Sequence, residues 1–220
     1  MQFNLKKMLN LSLIGLLTIT MLGACGQDTK DVSIKSDNTK QESTEKPSDT
    51  NKSEGTEKKE EKKSKLGSRS NPVPFLTTGT VEDELFNDNG DSFPIKFDLT
   101  VVEVVRGDAA FQKLKSMNQF NEAAPEGYEW VLAKTKVKFT ESETQDLAFH
   151  IDGIMNFKMV SEGGDIYSGD VIATTEPEFS FEMYVGNEKE GYISGLVKTG
   201  EKAQLRYEEM LDGQVFFNLQ

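Results

Sequence analysis

Every Phe, Tyr and Trp in this chain of 220 residues, apart from Phe3, lies at Phe75 or beyond. Large apolar side chains supply most of a core's burial, so a globular core can be built only from about Pro72 to Gln220. That stretch is one domain's length and long enough to stabilise itself. What precedes it must therefore be something other than a second globular domain. Lys6 and Lys7 give the chain a basic start, and Met8 to Leu22 is apolar apart from Asn10, Ser12, Thr18 and Thr20. A basic start, an apolar stretch and then small residues is the order of a secretory signal. The apolar stretch is marginal for a spanning helix, and no other segment approaches about twenty apolar residues.

The signal ends in Leu22-Gly23-Ala24-Cys25. This resembles the bacterial lipobox, in which a branched aliphatic residue and two small residues precede an obligatory cysteine. The resemblance implies diacylglyceryl transfer to the Cys25 thiol and cleavage between Ala24 and Cys25. The mature protein would then be held by its acyl chains on the extracytoplasmic face of the bacterial cell membrane. An incidental cysteine in a secreted protein and an uncleaved signal anchor are the competing readings. Cys25 is also the only cysteine, so no intramolecular disulfide can form and packing alone must stabilise the domain.

Residues 25–70 read as the lipidated cysteine followed by a disordered linker of Lys, Glu, Ser and Thr. Val32 and Ile34 are its only branched aliphatics before Leu66. Such a segment buries too little apolar surface to offset its ordering entropy. A binding tail, or a short helix at Lys58–Lys65, is the alternative. Ten Lys and ten Asp or Glu cancel between Gly26 and Lys65, whereas 13 Lys and Arg face 27 Asp and Glu from Leu66 onward. The domain thus carries about −14, a charge that repels phosphate backbones and makes nucleic acid a poor partner.

From residue 71 the pattern becomes short apolar runs separated by turns. Thr77–Phe86 reads as an acidic strand, and Asn87-Asp88-Asn89-Gly90-Asp91 as a hairpin turn with a type I′ Asn-Gly pair. Phe93–Val105 forms the next strand. Asp108 is expected to cap a helix over Ala109–Phe120, with Phe111, Leu114 and Met117 on one face, plugging one end of the sheet structure. Tyr128–Phe139 is the clearest strand: Val131, Ala133, Thr135, Val137 and Phe139 share one face, and Lys134, Lys136 and Lys138 the other. Further strands are expected at Ala148–Ile151, Asn156–Val160, Val171–Ala173, Phe179–Val185, Gly191–Val197, Ala203–Tyr207 and Gln214–Asn218. The sum is a mainly β domain over 71–220, an antiparallel immunoglobulin-like β-sandwich with one short helix; a small barrel is the alternative.

Three blocks carry a wider resemblance: Gly67-Ser68-Arg69-Ser70-Asn71-Pro72-Val73-Pro74, then Val104-Val105-Arg106-Gly107-Asp108-Ala109-Ala110, and Asn118-Gln119-Phe120-Asn121 leading to Pro125-Glu126-Gly127-Tyr128-Glu129-Trp130. With Tyr184-Val185-Gly186 and Glu190-Gly191-Tyr192-Ile193, they resemble a family of uncharacterised immunoglobulin-like domains on Gram-positive lipoproteins, in the immunoprotective extracellular superfamily. The resemblance implies a fold and a location but no activity. Similar domains sometimes carry a telomeric-repeat label, against which the charge of about −14 argues.

Few residues offer chemistry. His150 is the only histidine, no Gly-x-Ser-x-Gly elbow is present, and Cys25 belongs to the anchor. One histidine cannot supply a zinc site, and Asp88-Asn89-Gly90-Asp91 lacks calcium-loop spacing. Glu82-Asp83-Glu84 with Glu176, Glu178 and Glu182 would be candidates for a carboxylate pair flanking a groove, or else solvated faces. Trp130 falls on the Leu132/Lys134 face, either as core under the helix or as a contact surface, and Arg106 reads as one half of a structural ion pair. These features lead us to expect no catalytic residue, cofactor or metal. The expected role is a non-catalytic module binding a protein, peptide or envelope component. The alternatives are a carboxylate-dependent wall-modifying enzyme and capture of cations or cationic peptides by the acidic surface.

Overall fold

The computed structural model describes residues 32–34, 64–210 and 213–220. Cys25 and the cleavage position after Ala24 lie outside them, as does most of the expected linker. Among the described residues ten strands and one helix follow in the order β1 Ser33–Ile34, β2 Gly79–Phe86, β3 Ser92–Arg106, α1 Gly107–Met117, β4 Tyr128–Ser142, β5 Phe149–Asp152, β6 Phe157–Ser161, β7 Ser180–Met183, β8 Glu188–Lys198, β9 Ala203–Glu208 and β10 Gln214–Asn218. They form a five-stranded sheet ordered β1-β2-β3-β4-β8, a three-stranded sheet ordered β10-β9-β6 and a two-stranded sheet of β5 and β7. All strand pairs are antiparallel. The domain is therefore mainly β with one short helix, consistent with a β-sandwich.

Period-two alternation explains the principal layer. Val131, Ala133, Thr135, Val137 and Phe139 of β4 are all buried, as their spacing predicts. Val81 and Leu85 of β2, Phe97 and Leu99 of β3, and Ile193 and Val197 of β8 share their cluster. Phe157 and Met159 of β6, Leu205 and Tyr207 of β9, and Val215 and Phe217 of β10 meet them, with Phe149, Ile151 and Met183 from the smaller sheet. Ring centroids link Phe139 to Phe149 (5.2 Å), Phe149 to Phe97 (4.8 Å), Phe97 to Tyr207 (5.3 Å) and Tyr207 to Phe157 (5.2 Å). Each such side chain contributes about 1.5–3 kcal/mol by leaving water. Aromatic geometry adds to that.

The opposite face of the five-stranded sheet is also buried at one end. Ala110 and Leu114 of α1 lie with Trp130 and Leu132 of β4 and Leu196 of β8 in a second cluster. The helix therefore covers the outer face of the sheet; it does not plug the inter-sheet core. Its start also departs from expectation. Arg106, in extended conformation, precedes the helix with no side-chain cap, and Asp108 falls in the first turn, where a carboxylate still interacts favourably with the exposed N–H groups. The helix stops at Met117 because Asn118 returns to extended backbone, leaving Phe120 80% exposed.

Four further differences have local causes. Asn87 Oδ1 accepts from the backbone N–H of Asn89 (3.0 Å) and Asp91 (2.9 Å). Gly90 has φ +83°, while Asn89 is not among the residues with positive φ. A type I′ turn needs positive φ at both central positions, so this hairpin is not one. Val171–Ala173 forms no strand, because the segment turns over the outer face, where Val171 and Ala173 pack against the Trp130 cluster. Val32–Ile34, inside the expected linker, is ordered on the domain: Ser33 lies opposite Thr80 and Ile34 opposite Gly79. The order at residues 64–70 likewise precedes the expected start at 71, with Gly67 accepting from the Phe216 amide at 2.7 Å.

Candidate functional site

Two edge strands define the most distinctive surface. β6 borders the three-stranded sheet and β8 the five-stranded one. In a strand, alternate residues direct their N–H and C=O groups to the same edge. The Tyr192 amide donates to Pro177 O (2.9 Å) and its carbonyl accepts from Phe179 N–H (3.3 Å), so Tyr192, Ser194 and Leu196 address the outer edge of β8. Asn156 O accepts from Glu208 N–H and Glu162 N–H donates to Lys202 O. Residues 156–162 of even number thus face β9, and Phe157 and Met159 face the other way. Between these edges lies a groove of about 240 Å³ whose lining includes Trp130, Ile154, Phe157, Met159, Tyr167 and Ile172.

Two pinned loops wall the groove. In the first, Asp152 Oδ1 accepts from Ile154 N–H (2.8 Å) and Met155 N–H (3.0 Å), while Asn156 Oδ1 accepts from Asp152 N–H (2.9 Å). Burial would raise the Asp152 pKa, but the hydrogen bonds from Ser180 and the two amides outweigh it and hold the carboxyl below its ordinary value. This rigid turn presents Ile154 and Met155 to solvent at 52% and 74% exposure. In the second loop, buried Asn121 donates to Leu114 O and Thr174 O and accepts from Thr174 N–H, all at 2.8 Å. At its other end Asp165 accepts from Tyr128 OH at 3.2 Å. Ile172, between those clamps, is 72% exposed. Apolar side chains held outward by a satisfied backbone are a feature of binding surfaces.

The residues singled out from the sequence are dispersed. Glu82 is exposed and paired with Lys96 at 3.5 Å; Lys96 also meets Glu141 at 3.4 Å. Asp83 turns inward and accepts from Tyr207 OH at 2.6 Å, whereas Glu84 accepts from Ser92 Oγ at 2.7 Å. Glu176, Glu178 and Glu182 are exposed and do not line the depression formed by Glu82, Glu84, Glu141 and Glu143. The two carboxylate groups do not share that depression. His150 is exposed on β5, opposite Glu182. Among the described residues no group of three His, Cys, Asp or Glu is arranged to hold a metal, and no helix is long and apolar enough to cross a membrane.

Arg106 makes the expected structural pair, with Glu129 at 2.8 Å, and also donates to Glu201 O at 2.5 Å. Trp130 is core, 2% exposed beneath α1, with its indole N–H donating to Glu122 O at 3.0 Å. The outward lysines of β4 are cross-strand partners of β8: Lys134 lies 2.5 Å from Glu190 and Lys136 3.6 Å from Glu188. Sequence reasoning passed over Ile154, Met155 and Ile172. The signal for Ile154 and Met155 is an Ile-Met pair inside a Gly153/Asn156 turn, where apolar residues have no local reason to be, whereas Ile172 sits in a run that reads as a strand.

No family model matches the chain, and neither does any curated protein sequence. Among solved structures, it is similar to the crystal structure of a candidate lipoprotein, YcdA, of Bacillus subtilis subsp. subtilis strain 168. The TM-score is 0.36 at 14% identity, over 62% of this chain and 38% of that one, well under two-thirds of its length. A likeness of that degree carries no argument about function.

Proposed function

We propose that the chain is a bacterial lipoprotein that displays a non-enzymatic module on the extracytoplasmic face of the cell membrane. In this reading the signal is cleaved behind Ala24 and Cys25 carries the acyl chains. The module, a β-sandwich of the immunoglobulin-like kind, takes an extended apolar peptide of net positive charge into the groove between β6 and β8. One observation carries the choice of site: exposed Ile154 and Ile172 line a groove that lies between the outer edges of β6 and β8. Added-strand recognition uses these two components, backbone hydrogen bonds for affinity and apolar pockets for alternate side chains. The charge of about −14 from Leu66 onward favours a cationic partner and disfavours nucleic acid.

The test is titration of the mature full-length protein with a short synthetic peptide of alternating valine and threonine, flanked by lysines. A glutamate-flanked twin serves as control. The lysine peptide should bind saturably, about tenfold tighter than its twin at low salt, and weaken as salt rises. Ile172→Asp should weaken it about tenfold. Equal binding of the two peptides, or indifference to Ile172→Asp, would remove the groove from consideration. Cleavage of the peptide or of a wall polymer, lost on one carboxylate substitution, would overturn the non-enzymatic reading.

A further inference from the structure

We infer that Val32-Ser33-Ile34 is a strap that docks on the β2 edge of its own domain and holds that domain close to the lipid anchor. The inference rests on the reading of Cys25 as the anchored residue. Ser33 and Ile34 pair with Thr80 and Gly79, and Val32 packs against the main core. The seat for Val32 is built from missing side chains. A Cβ on Gly67 would stand 2.7 Å from Val32 Cγ2, and one on Gly79 would stand 3.3 Å from Val32 Cγ1. Val215 closes on the Gly67 side, and Val73 and Phe217 on the Gly79 side. Val32 and Ile34 are the only branched aliphatics between Cys25 and Leu66, and among the described residues of that segment Ser33 and Ile34 pair with the sheet.

Docking changes the length of the tether. Val32 follows Cys25 by seven residues, a path of about 25 Å at full extension. Without docking, the path runs thirty-nine residues to Ser64. A chain of that length has a root-mean-square span of about 35 Å and more than about 100 Å at full stretch. Docked, the domain is reached from Cys25 through the seven-residue path to Val32, and the longer path to Ser64 no longer sets its distance from the anchor. The strap also sets which edge meets the membrane. β2 and β8 occupy opposite sides of the five-stranded sheet, three strand spacings apart. Holding the β2 edge toward the bilayer leaves the β6/β8 groove on the side facing away.

The experiment uses the lipidated full-length chain in phosphatidylcholine bilayers. Ser33→Cys with Thr80→Cys places thiols at directly opposed positions, within reach of a disulfide. Oxidation should give an intrachain disulfide, and Val32→Asp should cut its yield at least about tenfold. In protein without the added cysteines, neutron reflectometry should find the layer more than about 10 Å thicker for Val32→Asp, since the long path replaces the short one. No disulfide, a disulfide between two chains, or equal layer thickness would overturn the strap. Mass analysis of the N-terminal peptide reports acylation of Cys25 separately. An unacylated Cys25 with an intact intrachain disulfide would overturn the anchor, and with it the membrane clamp, while leaving the docked strand standing.

Discussion

Replacing Tyr207 by Phe removes one oxygen from the middle of the fold and little else. The ring, 1% exposed, keeps its contacts with Phe97 and Phe157 at 5.3 and 5.2 Å. What disappears is the donor to Asp83 Oδ2 at 2.6 Å. Asp83, 6% exposed, would retain the Glu84 amide on Oδ1 at 2.8 Å. A buried hydrogen bond to a charged group is worth about 1.5–3 kcal/mol. Tyr207→Phe should therefore cost about 2 kcal/mol, and for a domain of this size lower Tm by about 4–8 °C.

Urea unfolding of the mature protein, followed by far-UV circular dichroism, measures the loss as a lower midpoint at unchanged slope. A pH series adds a second readout. Burial first, and then the Asp83 charge, raise the Tyr207 pKa well above 10.0. The folded state therefore keeps the phenol neutral where the unfolded chain ionises it. Wild-type stability should fall as pH rises above about 10, and the variant should show a shallower decline. A loss below about 0.5 kcal/mol, or the same loss measured in an Asp83→Asn background, would refute the assignment of the energy to this bond.

Asn121→Ala should cost about 2–4 kcal/mol, because three hydrogen bonds at a buried amide vanish together; hydrogen exchange should speed up selectively at residues 166–174. Gly195→Ala puts a Cβ 2.4 Å from Met159 Cγ, and the forced repacking should cost about 1–3 kcal/mol by urea titration. Asp152→Asn bears on acid stability. A carboxyl held below its ordinary value contributes stability above an unfolded pKa of about 3.9 that is lost as pH falls through the folded value. The Asn variant should therefore lose less on going from pH 5 to pH 2 than wild type does, and an identical acid limb would contradict the hydrogen-bond account of that turn.

Where local pattern and burial agreed, the sequence was readable. The β4 alternation placed Val131 through Phe139 inward and the lysines outward because a strand buried mainly on one face has few other solutions. Gln214–Asn218 was read to the residue for the same reason. The helix start was misplaced because a capping carboxylate is a statistical preference, and extended Arg106, tied to Glu129, decides where β3 ends and α1 begins. Val171–Ala173 carries strand-forming residues, but its tertiary surroundings bend it over Trp130. The groove was not legible at all. It arises where β6 and β8, far apart in sequence, bring their edges side by side, and no window along the chain encodes that meeting.

The single tryptophan sits under α1, on the outer face of the sheet, and not among the aromatics of the inter-sheet core. Its emission is therefore an optical report on one layer of the molecule. If the helix and the 166–173 segment loosen before the sheets separate, indole fluorescence will shift to the red while the strand signal in circular dichroism is still intact. Coincident transitions would mean that the outer layer and the sheets melt as one cooperative unit. The chain thus carries its own probe of whether the wall of the groove can open while the domain stays folded.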